Sequence, residues 1–118
     1  MTFTLYGIKS CDSCRNALKW LEQHGFAARF HDFRQDGYTV QMLERWSDAL
    51  GWEILLNKRS LTWRKIPQAD RSELNAAKAI ALMLENPTLI KRPILESGKT
   101  VSAGFTPEAY AEQFARKK

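Results

Sequence analysis

The chain lacks the features of an exported or membrane-embedded protein. No apolar stretch approaches the roughly 18 residues that a membrane helix needs. Residues 1–9 have neither a basic start nor a long apolar run, so we expect no signal peptide. Glycine and proline are few, with 6 and 4 copies, and 44% of the 118 residues are apolar, which is typical of a globular domain rather than a disordered chain. The composition therefore predicts a soluble cytoplasmic protein with no membrane partner.

Cysteine is scarce as well, since Cys11 and Cys14 are the only two in the chain. In a reducing compartment such a pair serves catalysis or metal binding more often than a structural disulfide. A zinc site needs about two more ligands, but no further cysteine exists, and His24 and His31 lack the usual paired spacing. We therefore expect no metal. For each cysteine two interpretations stay open, a reactive thiol or a small buried residue.

Positive charge exceeds negative charge, with 18 Lys and Arg against 13 Asp and Glu and a net charge of +5. This balance permits anionic partners, including nucleic acid or an anionic substrate. The basic residues are spread along the chain, and only the ARKK tail at 115–118 forms a cluster, which we interpret as a solvated terminus. No long apolar stripe is left over for a partner, so a monomer is expected.

Hydrophobic periodicity predicts a strand, a helix and a second strand at the start of the chain. FTLYG at 3–7 is typical of a short buried strand, and apolar residues at three- and four-residue steps indicate a helix from about Ser13 to a stop at Gly25. Residues 27–34 alternate and predict another strand. A crossover through a helix makes the two strands parallel neighbours.

The rest of the sequence, after residue 34, predicts helices followed by a β-hairpin and a last helix. A helix is expected from an N-cap at Thr39 to a stop at Gly51, and another over 72–85, whereas NKRSLTWRKIP at 57–67 is typical of an exposed basic loop. Two β-like runs flank SGK, and Thr106 caps a final helix.

These elements predict an α/β fold. We expect one thioredoxin-like domain, residues 1–118, with a mixed sheet in the order β-α-β then β-β-α. A helical insert of about residues 39–86 separates the two halves of that sheet.

Cys11 falls where the first strand gives way to the first helix. The free N–H groups and the dipole of a helix start favour the thiolate, which is the nucleophilic form, and Lys9 and Arg15 add positive charge. Cys14 follows one turn later on the same face. There it can attack a mixed disulfide on Cys11 and release the product, which is the resolving role in thiol–disulfide exchange.

Three segments resemble the arsenate reductase-like family, the group of ArsC, Spx and YffB proteins. They are LYGIKSCDSCRNALKWL, LLNKRSLTWRK and LIKRPILESGKTVSAGF, which occur in the family's order and at similar spacing, with the small YffB-type proteins most alike. The resemblance implies that Cys11 is the nucleophile and that Pro93 is a cis proline beside it. It also implies an anion site made by three arginines: Arg15, Arg59 and Arg92.

The arginine assignments agree with elementary chemistry, because planar guanidinium groups suit an oxyanion or a glutathione carboxylate. Lys58 and Arg64 lie near enough to Arg59 to take its place if the register differs. Each arginine also has the ordinary interpretation of a solvated surface charge.

Two departures from the family pattern bear on function. Arsenate reductases of this family carry a further arginine after the hairpin, but here none occurs between Arg92 and Arg116. They also have serine where this chain has Cys14, and the CDSC arrangement is more similar to the Spx regulators.

The resemblance thus implies a thiol-dependent reductase without a bound cofactor. Glutathione is the expected co-substrate, and glutathione or a glutaredoxin- or thioredoxin-type protein is the expected donor. The alternative is an Spx-like redox-responsive regulator that binds RNA polymerase. A family member that keeps the fold without measurable activity is the third possibility.

Overall fold

The computed structural model describes residues 3–98 and 100–115. The predicted basic tail, apart from Ala115, lies outside them. None of the helices formed by these residues is long and apolar enough to cross a membrane. The chain divides into two compact units. We call Met1–Phe33 with Arg92–Lys118 the cysteine unit and Arg34–Lys91 the insert unit; the single domain and the insert bounds of 39–86 stay predictions.

Strands and helices follow one another in nearly the predicted order. They are β1 (Phe3–Gly7), α1 (Asp12–Gln23), β2 (Ala28–Asp32), α2 (Phe33–Asp36), α3 (Val40–Leu50), α4 (Trp52–Leu55), α5 (Leu61–Lys65), α6 (Gln68–Arg71), α7 (Ala76–Glu85), a 3-10 turn (Pro87–Leu89), β3 (Ile94–Ser97), β4 (Thr100–Ala103) and α8 (Pro107–Ala115).

The sheet belongs to the cysteine unit and has the strand order β2-β1-β3-β4. β1 runs parallel to β2, with Leu5 opposite Phe30, and antiparallel to β3, with Leu5 opposite Leu95. β4 closes an antiparallel hairpin with β3. The predicted βαβ unit, the late hairpin and the mixed sheet are therefore confirmed.

One apolar cluster fixes α1 and α8 to this sheet. Its buried members are Phe3, Leu5, Ala17, Leu21, Leu95, Tyr110 and Phe114. The rings of Phe3 and Phe114 meet edge to face with centroids 5.1 Å apart. Side chains alternate along a strand, so Gly7 shares the face of Phe3 and Leu5, which is the face that the helices cover.

Several predicted helix ends are confirmed by side-chain caps. The hydroxyl of Thr39 accepts the Met42 N–H at 3.2 Å, and that of Thr106 accepts the Ala109 N–H at 3.0 Å. Gly51 ends α3 with φ of 90°, a conformation that favours glycine.

Three predicted boundaries are wrong. The second strand stops at Asp32, because Phe33–Asp36 already forms α2. The predicted loop at 57–67 contains α5, which Ser60 starts by accepting the Trp63 N–H at 3.1 Å. The helix expected over 72–85 begins only at Ala76, since Asn75 is its cap. In the last two cases a short polar side chain satisfies a free N–H of the first turn.

Candidate active site

Cys11 is the N-cap residue of α1, at the junction that the sequence predicts. Its backbone is extended, with φ of −82° and ψ of 121°, and its carbonyl accepts the Arg15 N–H at 3.1 Å as the first bond of the helix. Its own N–H donates to the Ile8 carbonyl at 3.0 Å. The residue is partly exposed, unlike Cys14.

The loop before Cys11 is held by a buried carboxylate that sequence reasoning missed. Asp32, at the end of β2, is only 3% exposed and accepts the Lys9 N–H at 2.8 Å. Only the position of Asp32 at the end of a strand could have indicated this role from the sequence. The ends of parallel neighbouring strands meet at one edge of a sheet, and Asp32 pairs with Gly7 there.

Cys14 is fully buried, and both cysteines are free thiols. Cys14 lies three residues after Cys11, on the first turn of α1. Burial raises the pKa of Cys14 to about 12; the Ile8 N–H and the charge of Arg92 lower this pKa, whereas Cys11 raises it. The two thiols thus influence each other but are not equivalent.

Arg92 and Pro93 enter the site from the start of β3. The peptide bond between them is cis, as the resemblance implies. The pairing of Tyr6 with Ile94 places Pro93 next to the end of β1, and its carbonyl accepts the Gly104 N–H at 2.8 Å. Arg92 acts electrostatically on Cys14, and its buried Nε has no hydrogen-bond partner among the described residues.

The other two predicted arginines have different surroundings. The guanidinium of Arg15 forms an ion pair with the Asp12 carboxylate one turn earlier, and both side chains are well exposed. Arg59 belongs to the insert unit, where its side chain is exposed and its N–H donates to the Asn57 side-chain oxygen at 3.2 Å. The role of each in binding an anion stays a prediction.

Tyr110 is another residue of the site that sequence reasoning missed, and it acts electrostatically with Cys14. Only 1% of it is exposed, and its hydroxyl lacks a hydrogen-bond partner within the described part of the chain. Burial, and after it the charge of the Cys14 thiolate, raise the pKa of Tyr110. The hydroxyl therefore stays protonated within electrostatic reach of Cys14. Nothing in the sequence links two residues so far apart.

The comparison with known families decides the chain's affiliation. A family model described as the ArsC family matches residues 6–113. The chain belongs to the ArsC family. The predicted resemblance is thereby confirmed.

Individual relatives of this ArsC-family chain fall into two groups. The solved structure of a YFFB protein is 44% identical, with a TM-score of 0.89 over 93% of this chain and 96% of that one. An arsenate reductase (ArsC) related protein from Brucella melitensis is 42% identical, with a TM-score of 0.80 over 97% and 95%. The global transcriptional regulator Spx of Streptococcus mutans is 30% identical over 107 residues, which are 89% of this chain and 77% of its own.

No group of three His, Cys, Asp or Glu residues within 3–98 and 100–115 is arranged to hold a metal ion.

The unequal surroundings of the two thiols predict selective alkylation. At pH 8 iodoacetamide should modify Cys11 and leave Cys14 unmodified, because Cys14 is buried and only about one molecule in ten thousand would carry its thiolate at that pKa. Mass spectrometry of peptides counts the labels. Protein unfolded in guanidinium should carry two labels, and equal labelling of both thiols in the folded protein would contradict this description of the site.

Proposed function

We propose that this protein is a thiol-dependent reductase in which Cys11 attacks a small oxidised or anionic substrate. The observation that carries the proposal is the thiol pair at the start of α1, where Cys11 is partly exposed and Cys14 lies buried on the next turn. Membership of the ArsC family and the likeness to an arsenate reductase related protein support the same class of chemistry.

The reaction begins with the Cys11 thiolate. Its sulfur attacks the oxidised atom of the substrate and displaces a leaving group, hydroxide or water from an oxyanion and a thiolate from a disulfide. A glutathione thiolate then attacks the Cys11 sulfur, the substrate leaves with the electron pair of its bond to Cys11, and a mixed disulfide of Cys11 and glutathione remains. Either Cys14 attacks the Cys11 sulfur and releases glutathione, or a second glutathione thiolate attacks the glutathione sulfur and releases Cys11 together with glutathione disulfide. A glutaredoxin- or thioredoxin-type protein is an alternative donor. No bound cofactor is needed, because thiols supply both electrons.

The surroundings of Cys14 suit a thiol that reacts second. Cys11 is one cause of the raised pKa of Cys14, because a Cys11 thiolate repels a second negative charge and accepts the Cys14 S–H. A Cys11 sulfur engaged in a mixed disulfide carries no charge and is a much weaker acceptor. The Cys14 thiolate therefore becomes easier to form once Cys11 has reacted, while Arg92 and the Ile8 N–H continue to stabilise it.

Arg92 is the arginine that we assign to the anionic part of the substrate. Its charge reaches the thiol pair, and its buried Nε is available for an acceptor. Arg15 is already paired with Asp12, so it would have to exchange that partner for a substrate. We assign Arg59 a supporting role on the resemblance alone.

Replacing the thiols one at a time tests the proposal. Cys11→Ser should reduce turnover to background, because the nucleophile is gone, whereas Cys14→Ser should only slow it. Turnover is measured with arsenate and, separately, with bis(2-hydroxyethyl) disulfide, each in the presence of glutathione. Full activity of Cys11→Ser with a substrate that the unaltered protein reduces would contradict the proposal.

Replacing Arg92 tests the anion site. Arg92→Gln should raise KM for an anionic substrate about tenfold or more, since a hydrogen bond to a charged group contributes about 1.5–3 kcal/mol. The effect on a neutral disulfide should be smaller. Arg29→Gln, at an exposed position on β2, removes the same charge from the same unit and serves as the control. Equal KM changes in the two variants would refute the assignment.

The alternative is an Spx-like redox-responsive regulator that binds RNA polymerase. It is favoured by the likeness to Spx over most of the chain and by the cysteine pair itself. The resemblance implies a glycine-based polymerase contact near Trp52 in the Spx regulators. Gly51 is the candidate for that glycine, and it also has the ordinary interpretation of the residue that ends α3.

A binding experiment separates the two functions. If the chain is a regulator, purified RNA polymerase should retain the oxidised protein at least several-fold more strongly than the reduced protein, or the reverse. Cys14→Ser, which cannot form the internal disulfide, should remove that difference. Equal retention of the oxidised and reduced forms would count against the regulator.

A further inference from the structure

Gly7, the last residue of β1, lies directly against the Cys14 thiol. A Cβ atom at position 7 would stand 2.3 Å from the Cys14 sulfur and 3.3 Å from the Cys14 Cβ. Side-chain carbons do not approach other heavy atoms within 3.0 Å, so a residue with a side chain cannot fit here while Cys14 keeps its place. Gly7 is not among the glycines with positive φ. The position therefore requires free space rather than an unusual backbone conformation.

The backbone at Gly7 has little freedom to make room for a side chain. β1 lies inside the sheet, between β2 and β3, and Gly7 pairs with Asp32 of the parallel neighbour. Asp32 in turn holds the loop before Cys11. A methyl group at position 7 would therefore displace the Cys14 sulfur rather than the strand.

We propose that Gly7 is the positioning residue for the resolving thiol, since the space it leaves lets the Cys14 sulfur lie against the end of β1, on the helical turn that follows Cys11. This inference rests on the proposed function, because it concerns the step in which Cys14 attacks. Cys14 is fully buried, and residues three apart on a helix are neighbours, so Cys11 is the target that we assign to it. The site then works as a two-thiol device whose oxidised product is an internal disulfide.

The step balances without a further reagent. The Cys14 sulfur, after losing its proton, attacks the Cys11 sulfur of the mixed disulfide. A bond forms between the two cysteine sulfurs, and the bond from Cys11 to the glutathione sulfur breaks. Glutathione leaves as a thiolate and takes up a proton. The Cys11–Cys14 disulfide is afterwards reduced by a dithiol donor or by two glutathione thiols.

A chromogenic disulfide, 5,5′-dithiobis(2-nitrobenzoate), separates the two steps without any enzyme substrate. Its first thionitrobenzoate is released when Cys11 attacks, and the second when Cys14 resolves the mixed disulfide. Gly7→Ala should slow the second release at least tenfold and leave the first within twofold. Gly25→Ala is the matched control, because Gly25 has φ of +77° and an added Cβ there would touch nothing within 4 Å. It should weaken the fold through its backbone and leave both releases within twofold.

Thermal unfolding provides a second measurement that needs no thiol chemistry. Gly7→Ala should lower Tm, and adding Cys14→Ala should restore part of the loss, because the sulfur that the new methyl group meets is gone. Cys14→Ala alone supplies the comparison. If Gly7→Ala does not fold, recovery of folding in the double variant supports the same contact.

Two results would overturn the inference: an unchanged second release in folded Gly7→Ala, or a Tm in the double variant that falls by the sum of the two single changes. Neither measurement uses a reductase substrate. If the unaltered protein turned over neither arsenate nor the disulfide substrate, the proposed function would be refuted. The role of Gly7 in placing Cys14 would still be decided by the second release and by the Tm of the double variant.

Discussion

The contact between the Cys14 thiol and the end of β1 determines how the rest of the site is arranged. Cys14, Ala17 and Leu21 are all fully buried at three- and four-residue steps, so Cys14 is the first member of the stripe that fixes α1 to the sheet. Since the first turn is held there, Cys11 becomes the N-cap and faces partly outward. The packing that builds the core therefore leaves Cys11 partly exposed to solvent and buries Cys14.

This arrangement bears on the two interpretations of Cys14 that the sequence leaves open, a reactive thiol and a small buried residue. A small buried residue and a reactive thiol are opposite interpretations of a cysteine when only its sequence position is known. In the folded cysteine unit they are compatible, because Cys14 is buried on the helical turn that follows the partly exposed Cys11. Burial would shield Cys14 from outside reagents, and its place beside Cys11 would direct its attack to that neighbour. The proposed resolving role needs both properties.

Periodicity and turn chemistry predicted the sheet, α1 and the place of Cys11, because these depend on local pattern and on the short crossover between β1 and β2. The rest depended on tertiary contacts. Asp32 and Tyr110 join the site from distant parts of the chain, and nothing local marks either as a neighbour of the thiols. α5 was missed for a different reason: its cap, Ser60, lies in a run of basic residues that resembles a loop.

The charges around the thiols bear on which substrates the proposed reductase would take. Arg15 is paired with Asp12, and the arginine that family reductases carry after the hairpin is absent, so Arg92 is the cation whose charge reaches Cys14. One guanidinium can orient a carboxylate of glutathione, whereas a small multiply charged anion is better held by several. A reductase that resolves through Cys14 and a redox-responsive regulator would share one step, the closure of Cys11 onto Cys14. They differ in the fate of that disulfide: a reductase needs it to be reduced quickly, whereas a regulator needs it to persist long enough to change a partner's affinity.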